Sequence, residues 1–465
     1  MPFSFSFSFS SESLGAALPV WSVIPFLGLL VSMAVMPLAA PKFWHDHFGK
    51  VSALWGFLAF APLVVLYGGQ ALGSFLDMII NEYLPFIILL GALYAISGGI
   101  LITGNQRGTP GSNTVMLLIG TLLASFMGTT GAAMLLIRPL IRANAHRQNR
   151  TLVVIFFIFL VANIGGALTP FGDPPLFLGF LSGVPFFWTF RLLPHMFLAA
   201  GALLLVYYLL DRRIFKSEEC AEGKGPLRAG QAGQKPFRVR GAQNFVFLLV
   251  AIGALIAAGQ MSLGRVSFLG AQRDVSEILR DIVVFLMALC SMLFTAREIR
   301  DENGFTWFPL KEVAVIFAGL FVSMTPLLDI LQAGAAGHFG FLMRVVNRPS
   351  HYFWAAGTLS SFLDNAPAYL AFFKAALGSF YAGMGGRRAA ALLIMQHPAY
   401  LEAVSAGSVF FGAFTYIGNA PNFMVRSIAE ESGVEMPGFL GYMLKFSLLI
   451  LLPLFILETL IFFSY

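Results

Sequence analysis

The sequence predicts an all-α polytopic membrane protein with about ten transmembrane helices, plus two re-entrant hairpins in two inverted repeats with broken helices. Three observations predict this class. The 465 residues are 58% hydrophobic and 11% charged, with a mean hydropathy of +0.79, which is far more apolar than a soluble domain. Apolar stretches of membrane-spanning length recur along the chain. Two interrupted apolar stretches, 246 residues apart, also resemble each other.

Ten apolar stretches are long enough to cross a bilayer, for which a helix needs about 20 residues. They occupy about residues 17–40, 51–68, 84–104, 151–182, 187–210, 243–259, 281–296, 312–327, 401–427 and 437–463.

Two further apolar regions, about 113–143 and about 351–382, are interrupted near the middle by turn-forming residues. The interruptions are Gly128-Thr129-Thr130-Gly131 in the first region and Asp364-Asn365-Ala366-Pro367 in the second. Each half of such a region is too short to cross the membrane, so both regions are predicted to be re-entrant hairpins.

The same order of elements occurs twice: three spans, a hairpin, a broken helix and a closing span. The predicted first repeat covers residues 17–210, with its hairpin at about 113–143 and its broken helix at about 151–182. The second covers 243–465, with its hairpin at about 351–382 and its broken helix at about 401–427. Because each half has an odd number of spans, the repeats must have opposite orientations in the membrane.

The segments outside the repeats are polar. Residues 1–16 form a predicted low-complexity leader, and residues 211–242 form a basic linker predicted to be cytoplasmic. This orientation places 19 of the 29 Lys and Arg residues on the cytoplasmic side, in agreement with the positive-inside rule. Short loops and no recognisable targeting segment predict a multi-pass protein of the bacterial inner membrane.

The paired breaks are the most informative motif. Gly166-Ala167-Leu168-Thr169-Pro170-Phe171-Gly172-Asp173-Pro174-Pro175-Leu176-Phe177 aligns without gaps with Gly412-Ala413-Phe414-Thr415-Tyr416-Ile417-Gly418-Asn419-Ala420-Pro421-Asn422-Phe423. A lipid-facing helix tolerates such Gly and Pro residues only where protein or ligand satisfies the freed backbone groups. Paired breaks in matching places predict a transport site at the interface between the repeats.

Two carboxylates are the main candidates for ion binding, because a charged side chain at membrane depth costs about 2.5–3.5 kcal/mol and is a functional candidate by default. Asp364 lies at the second hairpin tip, where it could instead cap the following helical arm. Asp173 lies at the first break before two prolines and could also be a cap. We expect Lys374 either to pair with Asp364 or to extend towards the surface.

Other polar groups at the same depth could complete the site. Asn163 is expected to support it, by linking the first broken helix to the first hairpin. The predicted ion- or substrate-binding residues are Asp364, Asn365, Asp173, Thr129, Thr130, Asn163, Thr169, Thr415 and Asn419. The predicted structural hinge residues are Gly166, Gly172, Pro174, Pro175, Gly412, Gly418, Pro421 and Pro367.

Several function classes lack support in the sequence. It contains no nucleotide-binding, catalytic-triad or zinc-protease motif, so we expect neither an ATP-driven pump nor an enzyme. Cys220 and Cys290 suggest neither a disulfide framework nor a metal site. We predict no cofactor, no metal other than transient Na⁺, and no nucleic-acid partner.

The motif Ser361-Phe362-Leu363-Asp364-Asn365-Ala366-Pro367 and the Gly412–Pro421 break resemble those of the ion transporter superfamily, over nearly all of residues 17–463. This superfamily includes Na⁺/H⁺ antiporters, citrate transporters, dicarboxylate symporters and arsenite permeases. The resemblance implies a homodimer and an elevator-like motion. Dicarboxylate symporters of the superfamily carry a Ser-Asn-Thr signature at both hairpin tips, whereas this chain has Met127-Gly128-Thr129 and Leu363-Asp364-Asn365.

The sequence therefore predicts a secondary active transporter in the lipid bilayer. The first hypothesis is a Na⁺/H⁺ antiporter, in which Asp364 and Asp173 alternately bind cation and proton. The alternative is a Na⁺- or H⁺-coupled symporter of citrate or a related carboxylate, because helix N-termini at the breaks would favour an anion. A non-transporting membrane scaffold is a remote alternative.

Overall fold

A computed structural model describes residues 11–104, 107–221 and 238–464 of the chain. These residues are predominantly helical, with two short antiparallel strand pairs. This confirms the predicted all-α membrane class. Residues 1–10 of the predicted leader and residues 222–237 of the predicted linker lie outside the described residues.

The helices and strands of the described chain follow in order. In the first half the α-helices are α1 (Ser11–Ala17), α2 (Ile24–Ala39), α3 (Pro41–Tyr67), α4 (Gly69–Asp77), α5 (Leu84–Gly98), α6 (Pro110–Met127), α7 (Thr129–Ala143), α8 (Thr151–Leu160), α9 (Pro174–Leu181) and α10 (Leu193–Ala221). In the second half they are α11 (Gln243–Gln260), α12 (Val275–Phe294), α13 (Arg297–Glu302), α14 (Phe308–Gln332), α15 (Gly340–Val345), α16 (Pro349–Phe362), α17 (Asn365–Tyr381), α18 (Gly386–Gln396), α19 (Pro398–Phe411), α20 (Ala420–Glu431), α21 (Phe439–Tyr442) and α22 (Leu452–Phe462). Short 3₁₀ segments occupy Val20–Val23, Ile164–Ala167, Phe186–Leu192, Gly334–Ala336 and Gly412–Phe414, and π-helical segments occupy Met78–Tyr83 and Met443–Leu451. The strand pairs are β1 (Leu101–Thr103) with β2 (Arg238–Arg240), and β3 (Arg265–Phe268) with β4 (Ala271–Asp274).

Eight helical segments in the described chain are long and apolar enough to cross a membrane. Seven of them correspond to predicted spans, and the eighth is α6, the first arm of the first hairpin. The predicted span at 281–296 falls in α12, whose first turns carry Glu277, Arg280 and Asp281. The expectation that each hairpin arm is too short to cross the membrane is therefore wrong for α6, which has 18 residues.

Helices α6 and α7 form a hairpin because Gly128 reverses the chain between them, with the positive φ of 83° that glycine adopts readily. At the open end, Gly108 N donates to Ala143 O at 2.8 Å, so the start of α6 lies beside the end of α7. Helices α16 and α17 form a second hairpin, where the hydroxyls of Tyr352 and Ser379 lie 3.1 Å apart at the open end.

The two broken helices lie at the centre of the protein. Helix α8 is apolar on every side, and its residues 152–160 are all buried. A helix that is apolar all round is stable only when other elements surround it. Helix α19 packs closely on α16 and α17, and Ala403–Phe411 are buried. Both breaks therefore occur where protein, rather than lipid, surrounds the backbone.

Parts of the predicted leader and of the predicted linker lie within the described residues. Residues 211–221 of the predicted linker continue α10, and Arg238–Arg240 pair with β1. Helix α1 overlaps the end of the predicted leader and packs against α14, with Leu14 buried.

Candidate functional site

Asp173 is the centre of a buried polar cluster that receives side chains from both hairpin tips and from the second break. Thr129 Oγ1 and Asn419 Nδ2 each donate a hydrogen bond to Asp173 Oδ1 at 3.1 Å. The amide of Asn365 donates to Asp173 Oδ2. The carboxylate is 1% exposed and forms no salt bridge with any described residue. Three uncharged donors therefore hold a buried negative group, and a cation or a proton could neutralise it.

The cluster forms because Asp173 and Asn419 do not cap the helices that follow them. Both occupy the position before a helix, yet neither side chain accepts a capping hydrogen bond from its own helix. Prolines lie in the first turn of both helices, where their fixed φ suits a helix start and no N–H is needed. The side chains of Asp173 and Asn419 are thus free to meet between the two breaks.

One threonine in each break attaches that break to the hairpin of the same half. Thr169 Oγ1 donates to Ser125 O at 2.5 Å, and Thr415 Oγ1 donates to Ser361 O at 2.5 Å. The two serine hydroxyls in turn donate to Gly165 O and Phe411 O, at 2.5 and 3.3 Å. Both threonines thus bond the unwound backbone to the hairpin arms near their tips, and neither is among the three donors to Asp173.

The glycines predicted as hinges lie where two backbone segments approach closely. A Cβ atom on Gly172 would lie 2.1 Å from Gly166 O, and one on Gly418 would lie 2.7 Å from Gly412 O. Because these distances are far below van der Waals contact, larger residues do not fit. The predicted prolines lie in the first turns of the helices that follow the breaks and the second tip: Pro174, Pro175, Pro421 and Pro367.

Asn163 does not link the first broken helix to the first hairpin, which corrects the sequence-based expectation. Its Nδ2 donates to Asn422 Oδ1 at 2.7 Å, and its Oδ1 accepts from Asn419 Nδ2 at 3.2 Å. Asn163 therefore joins the first broken helix to the second break. Asn422, which the sequence analysis did not select, also donates to Gly412 O at 2.7 Å and Thr415 O at 2.9 Å, so its amide satisfies the freed carbonyls of that break.

Replacing Asn422 with leucine should lower the free energy of unfolding by about 3 kcal/mol or more, because it leaves two backbone carbonyls and the Asn163 amide buried without their partner. Leucine is the residue at the aligned position 176 of the first break. The measurement is thermal unfolding of the purified protein in detergent. Gln260→Leu, an exposed amide at the end of α11, is the control. Equal melting temperatures for the two variants would show that Asn422 does not stabilise the break.

Asp364 does cap α17, since its Oδ1 accepts from Ala366 N at 3.2 Å. It also lines a cavity of about 620 Å³ that reaches from the second hairpin tip to the ends of α2, α3 and α14. The cavity lining includes the polar residues Lys42, His45, Asp46, Glu312, Asp364, Asn419 and Arg426. A volume of this size is typical of small-molecule sites, so Asp364 combines the capping role with a place at the cavity wall.

A second, much smaller cavity of about 40 Å³ also borders the cluster, and its lining includes Asp173, Thr129 and Thr130. It has room for a single water or ion. Thr130 lines this cavity without hydrogen-bonding to Asp173. Asp173 borders the small cavity and its partner Asn419 borders the large one, so the polar cluster contacts both spaces.

Lys374 does not pair with Asp364, which was one of the two positions expected for it, and its side chain is only partly buried. Its Nζ donates to Gln332 Oε1 of α14 at 3.1 Å, away from Asp364 and from the cluster. The hairpin tip that carries Asp364 and Asn365 therefore has no direct contact with this cation.

Sequence reasoning also missed Ser125, although a signal was present. Ser125-Phe126 precedes the first tip and Ser361-Phe362 precedes the second, each four residues before the tip residue that bonds Asp173. Comparing the two tips, rather than the two breaks alone, would have identified Ser125 as the partner of Thr169.

Comparison with known proteins agrees with this architecture. The family model described as "Putative citrate transport" matches residues 15–463, nearly the whole chain. No curated protein matches the chain. The family match confirms the resemblance to the ion transporter superfamily that the hairpin and break motifs indicate. The chain therefore belongs to this citrate-transport family and is a multi-pass integral membrane transporter.

Proposed function

We propose that this protein is a secondary transporter that moves citrate or a closely related carboxylate in symport with Na⁺ or H⁺. The observation that carries this proposal is the cavity of about 620 Å³ beside Asp364 and Asn419. A bare cation needs far less space, whereas small organic ligands occupy sites of about 300–1,000 Å³. The description of the family supports the same substrate class.

The cavity offers groups that suit an anion. Lys42, His45 and Arg426 supply positive or ionisable nitrogen atoms at its wall. Asn419 and Ala420, at the N-terminus of α20, also line it, and the N–H groups and dipole of a helix N-terminus favour negative charge. We therefore place the carboxylate groups of the substrate between Arg426 and the start of α20.

The Asp173 cluster is the proposed site of the coupling cation or proton. Asn365 Oδ1 is inaccessible and has no hydrogen-bond partner among the described residues, although its own amide nitrogen contacts Asp173. A cation could take this oxygen, the carboxylate of Asp173 and the hydroxyl of Thr129 as hard ligands, and a proton would neutralise the carboxylate directly. Asn419 bonds Asp173 and lines the large cavity, so it connects the cation site to the substrate site.

The proposed mechanism is alternating access by the two hairpins and the two broken helices. We take the halves as inverted repeats, with the site at their interface, and the resemblance adds a homodimer with elevator-like motion. Thr169 and Thr415 keep each break attached to its own hairpin, so that the four elements would move together. We also propose the bacterial inner membrane as the location of the protein.

Na⁺/H⁺ antiport is the second candidate function, and the small cavity favours it. A space of about 40 Å³ at Asp173, Thr129 and Thr130 admits an ion and excludes citrate. In an antiporter, the large cavity would be only a water-filled path to the ion site.

Proteoliposomes distinguish the two candidates in one preparation. We expect labelled citrate to accumulate when an inward Na⁺ or H⁺ gradient is imposed, and not without a gradient, because only the gradient provides the driving force. A pH-sensitive dye inside matched vesicles reports antiport. Collapse of an imposed pH gradient on addition of Na⁺, without any citrate uptake, would replace the symport proposal with antiport.

A further inference from the structure

The connection between α11 and α12 is an ordered β-hairpin with an apolar tip. Strands β3 and β4 pair in antiparallel register, and Phe268 lies opposite Ala271, which leaves Leu269 and Gly270 as a two-residue turn. Phe268 is 63% exposed and Leu269 is 66% exposed. The proposed substrate and cation sites use no residue of this hairpin.

The turn carries a leucine where the backbone favours asparagine or glycine. Leu269 has a φ of 51°, and Gly270 has a φ of 89°. Two-residue hairpin turns with positive φ at both positions strongly prefer Asn-Gly or Gly-Gly, and a bulky residue at positive φ is unusual. In the described part of the chain, Leu269 is the only residue other than glycine with a positive φ. The leucine at this position therefore indicates a use for its side chain outside the hairpin.

The base of the hairpin is tied to the start of α12. Asp274 Oδ1 accepts a capping hydrogen bond from Ser276 N at 2.9 Å, and another from Leu263 N at 3.1 Å. Arg273 donates to Asp281 Oδ2 at 2.6 Å. These contacts give the tip a fixed position relative to α12, so the exposure of the tip is a property of the fold.

The first half of the protein supports only the β4 side of the hairpin. Strand β4 packs against α4 and the π-helical segment Met78–Tyr83, where Ala271 is buried and Asn81 Nδ2 donates to Gln272 O at 3.4 Å. Residues 261–270 are all exposed. No described part of the chain therefore covers the apolar side chains at the tip.

Strand β3 is amphipathic. Side chains alternate between the two faces of a strand, so Val266 and Phe268 share one face, and Arg265 and Ser267 share the other. All four residues are exposed. One apolar face and one polar face suit a position at a boundary between lipid and water, where amphipathic elements bury their apolar face.

The length of α11 places the hairpin at such a boundary. Helix α11 has 18 residues and is about 27 Å long at 1.5 Å per residue, slightly less than the hydrocarbon core of about 30 Å. Strand β3 starts five residues after the end of this helix. Leu249 of α11 and Phe285 of α12 are largely exposed, as expected of apolar residues that face lipid. The apolar residues of the hairpin therefore extend the lipid-facing surface of these two helices.

We propose that the β3–β4 hairpin is a lipid-binding anchor, in which Val266, Phe268 and Leu269 enter the boundary between the headgroups and the acyl chains of the surrounding phospholipids. Arg265, on the opposite face, stays at the level of the phosphates, as long basic side chains do at membrane interfaces. The anchor fixes the depth of α11 and α12 in the membrane. The inference requires only that the protein is a multi-pass membrane protein, and it does not depend on the transported substrate.

Spin labels on single cysteines test the depth of the hairpin. Val266→Cys, Ser267→Cys and Phe268→Cys, each in a Cys220→Ser, Cys290→Ser background, are reconstituted into vesicles of phosphatidylcholine and phosphatidylglycerol. The collision rates of the label are measured with oxygen, which concentrates in lipid, and with a water-soluble nickel chelate present on both sides. We expect the oxygen-to-nickel ratio to be about fivefold higher at positions 266 and 268 than at position 267, because neighbouring side chains lie on opposite faces.

Two further positions calibrate this measurement. Phe285→Cys, on the exposed apolar surface of α12, gives the ratio for lipid, and Asp301→Cys, on an exposed part of α13, gives the ratio for water. Ratios at positions 266 and 268 close to the lipid value support the anchor. Ratios close to the water value at all three hairpin positions would overturn it. Low collision rates with both reagents would also overturn it, and a disulfide between two copies at position 268 would then identify a second copy as the partner.

Leu269→Asn separates the anchor from the folding of the hairpin. Asparagine suits the backbone of this turn, so the melting temperature in detergent should not fall. In vesicles, adding Leu269→Asn to the labelled Val266→Cys protein should raise the nickel collision rate at position 266 about twofold or more, because a polar tip leaves the lipid. An unchanged nickel collision rate would contradict the proposal that the tip enters the membrane.

Discussion

Asp173→Asn is expected to reduce cation-driven citrate accumulation in proteoliposomes about 100-fold. This factor is near the upper end of those typical for coupling between two binding sites. The substitution keeps the size of the side chain and removes the charge that a Na⁺ or a proton would neutralise. Citrate exchange across the membrane without a gradient should persist, because the residues that line the large cavity are unchanged. The measurement compares gradient-driven uptake with counterflow on the same vesicles.

The variant should fold, because Asn365 can rotate its amide and present its unpartnered oxygen to the new amide at position 173. Thermal unfolding in detergent checks this. The matched control is Asp301→Asn, the same chemical change at an exposed residue of α13, which should leave accumulation within about twofold. Full accumulation by a folded Asp173→Asn protein would remove Asp173 from the proposed coupling site.

Gly172→Ala is expected to lower the free energy of unfolding by about 3 kcal/mol or more, and to reduce the yield of folded protein. The added Cβ would lie 2.1 Å from Gly166 O and 2.8 Å from Gly166 Cα, and a backbone neighbour cannot move aside as a flexible side chain can. Overpacking of a close-packed interior costs typically about 1–3 kcal/mol and occasionally more. The clash also displaces Asp173, the next residue, so any folded fraction should transport poorly.

Gly201→Ala is the matched control for this substitution. Gly201 lies on an exposed part of α10, where nothing lies within 4 Å of an added Cβ, and alanine there should be neutral or stabilising by up to about 1 kcal/mol. The comparison uses melting temperatures in detergent. Similar melting temperatures for the two alanine variants would mean that the breaks are looser than the close approach of Gly172 and Gly166 implies.

Much of the architecture could be predicted because membrane insertion imposes strong local rules. Long apolar stretches predict spans, and Gly, Pro and Asp within such stretches predict breaks and tips. The prediction failed for one hairpin arm, because length and hydropathy alone do not decide whether an apolar helix crosses the membrane. Helix α6 is long enough to cross, yet Gly128 and the packing of α7 turn it into a hairpin arm. The span predicted at 281–296 lies within α12, where three charged residues in the first turns precede the apolar part, and it stays a prediction.

The candidate site was predictable in its members more than in their contacts. Asp173, Thr129, Asn365 and Asn419 were selected separately, as polar residues at membrane depth, and the structure brings all four together. The contacts among these residues depend on how the two broken helices pack against each other. No local sequence pattern determines that packing. Asn163 was therefore assigned to the wrong neighbour.

Residues outside the turn-forming motifs were missed for a related reason. Asn422 lies within the aligned break opposite a leucine, so the alignment gave it no partner. Glu82 and Asp329 are single carboxyls in otherwise apolar helices, and neither belongs to a turn-forming motif. Sequence reasoning finds residues that interrupt a pattern, whereas contacts between distant helices need the fold.

In the proposed mechanism, the Asp173 cluster binds the cation or proton that is coupled to the substrate. The most direct measurement is equilibrium binding of labelled citrate to the purified protein, with and without Na⁺ and at two pH values, for wild type and Asp173→Asn. Coupled sites must affect each other reciprocally. We expect Na⁺ or a lower pH to tighten citrate binding about tenfold or more in the wild type and to have no effect in Asp173→Asn. The same cation or proton dependence in both proteins would contradict it.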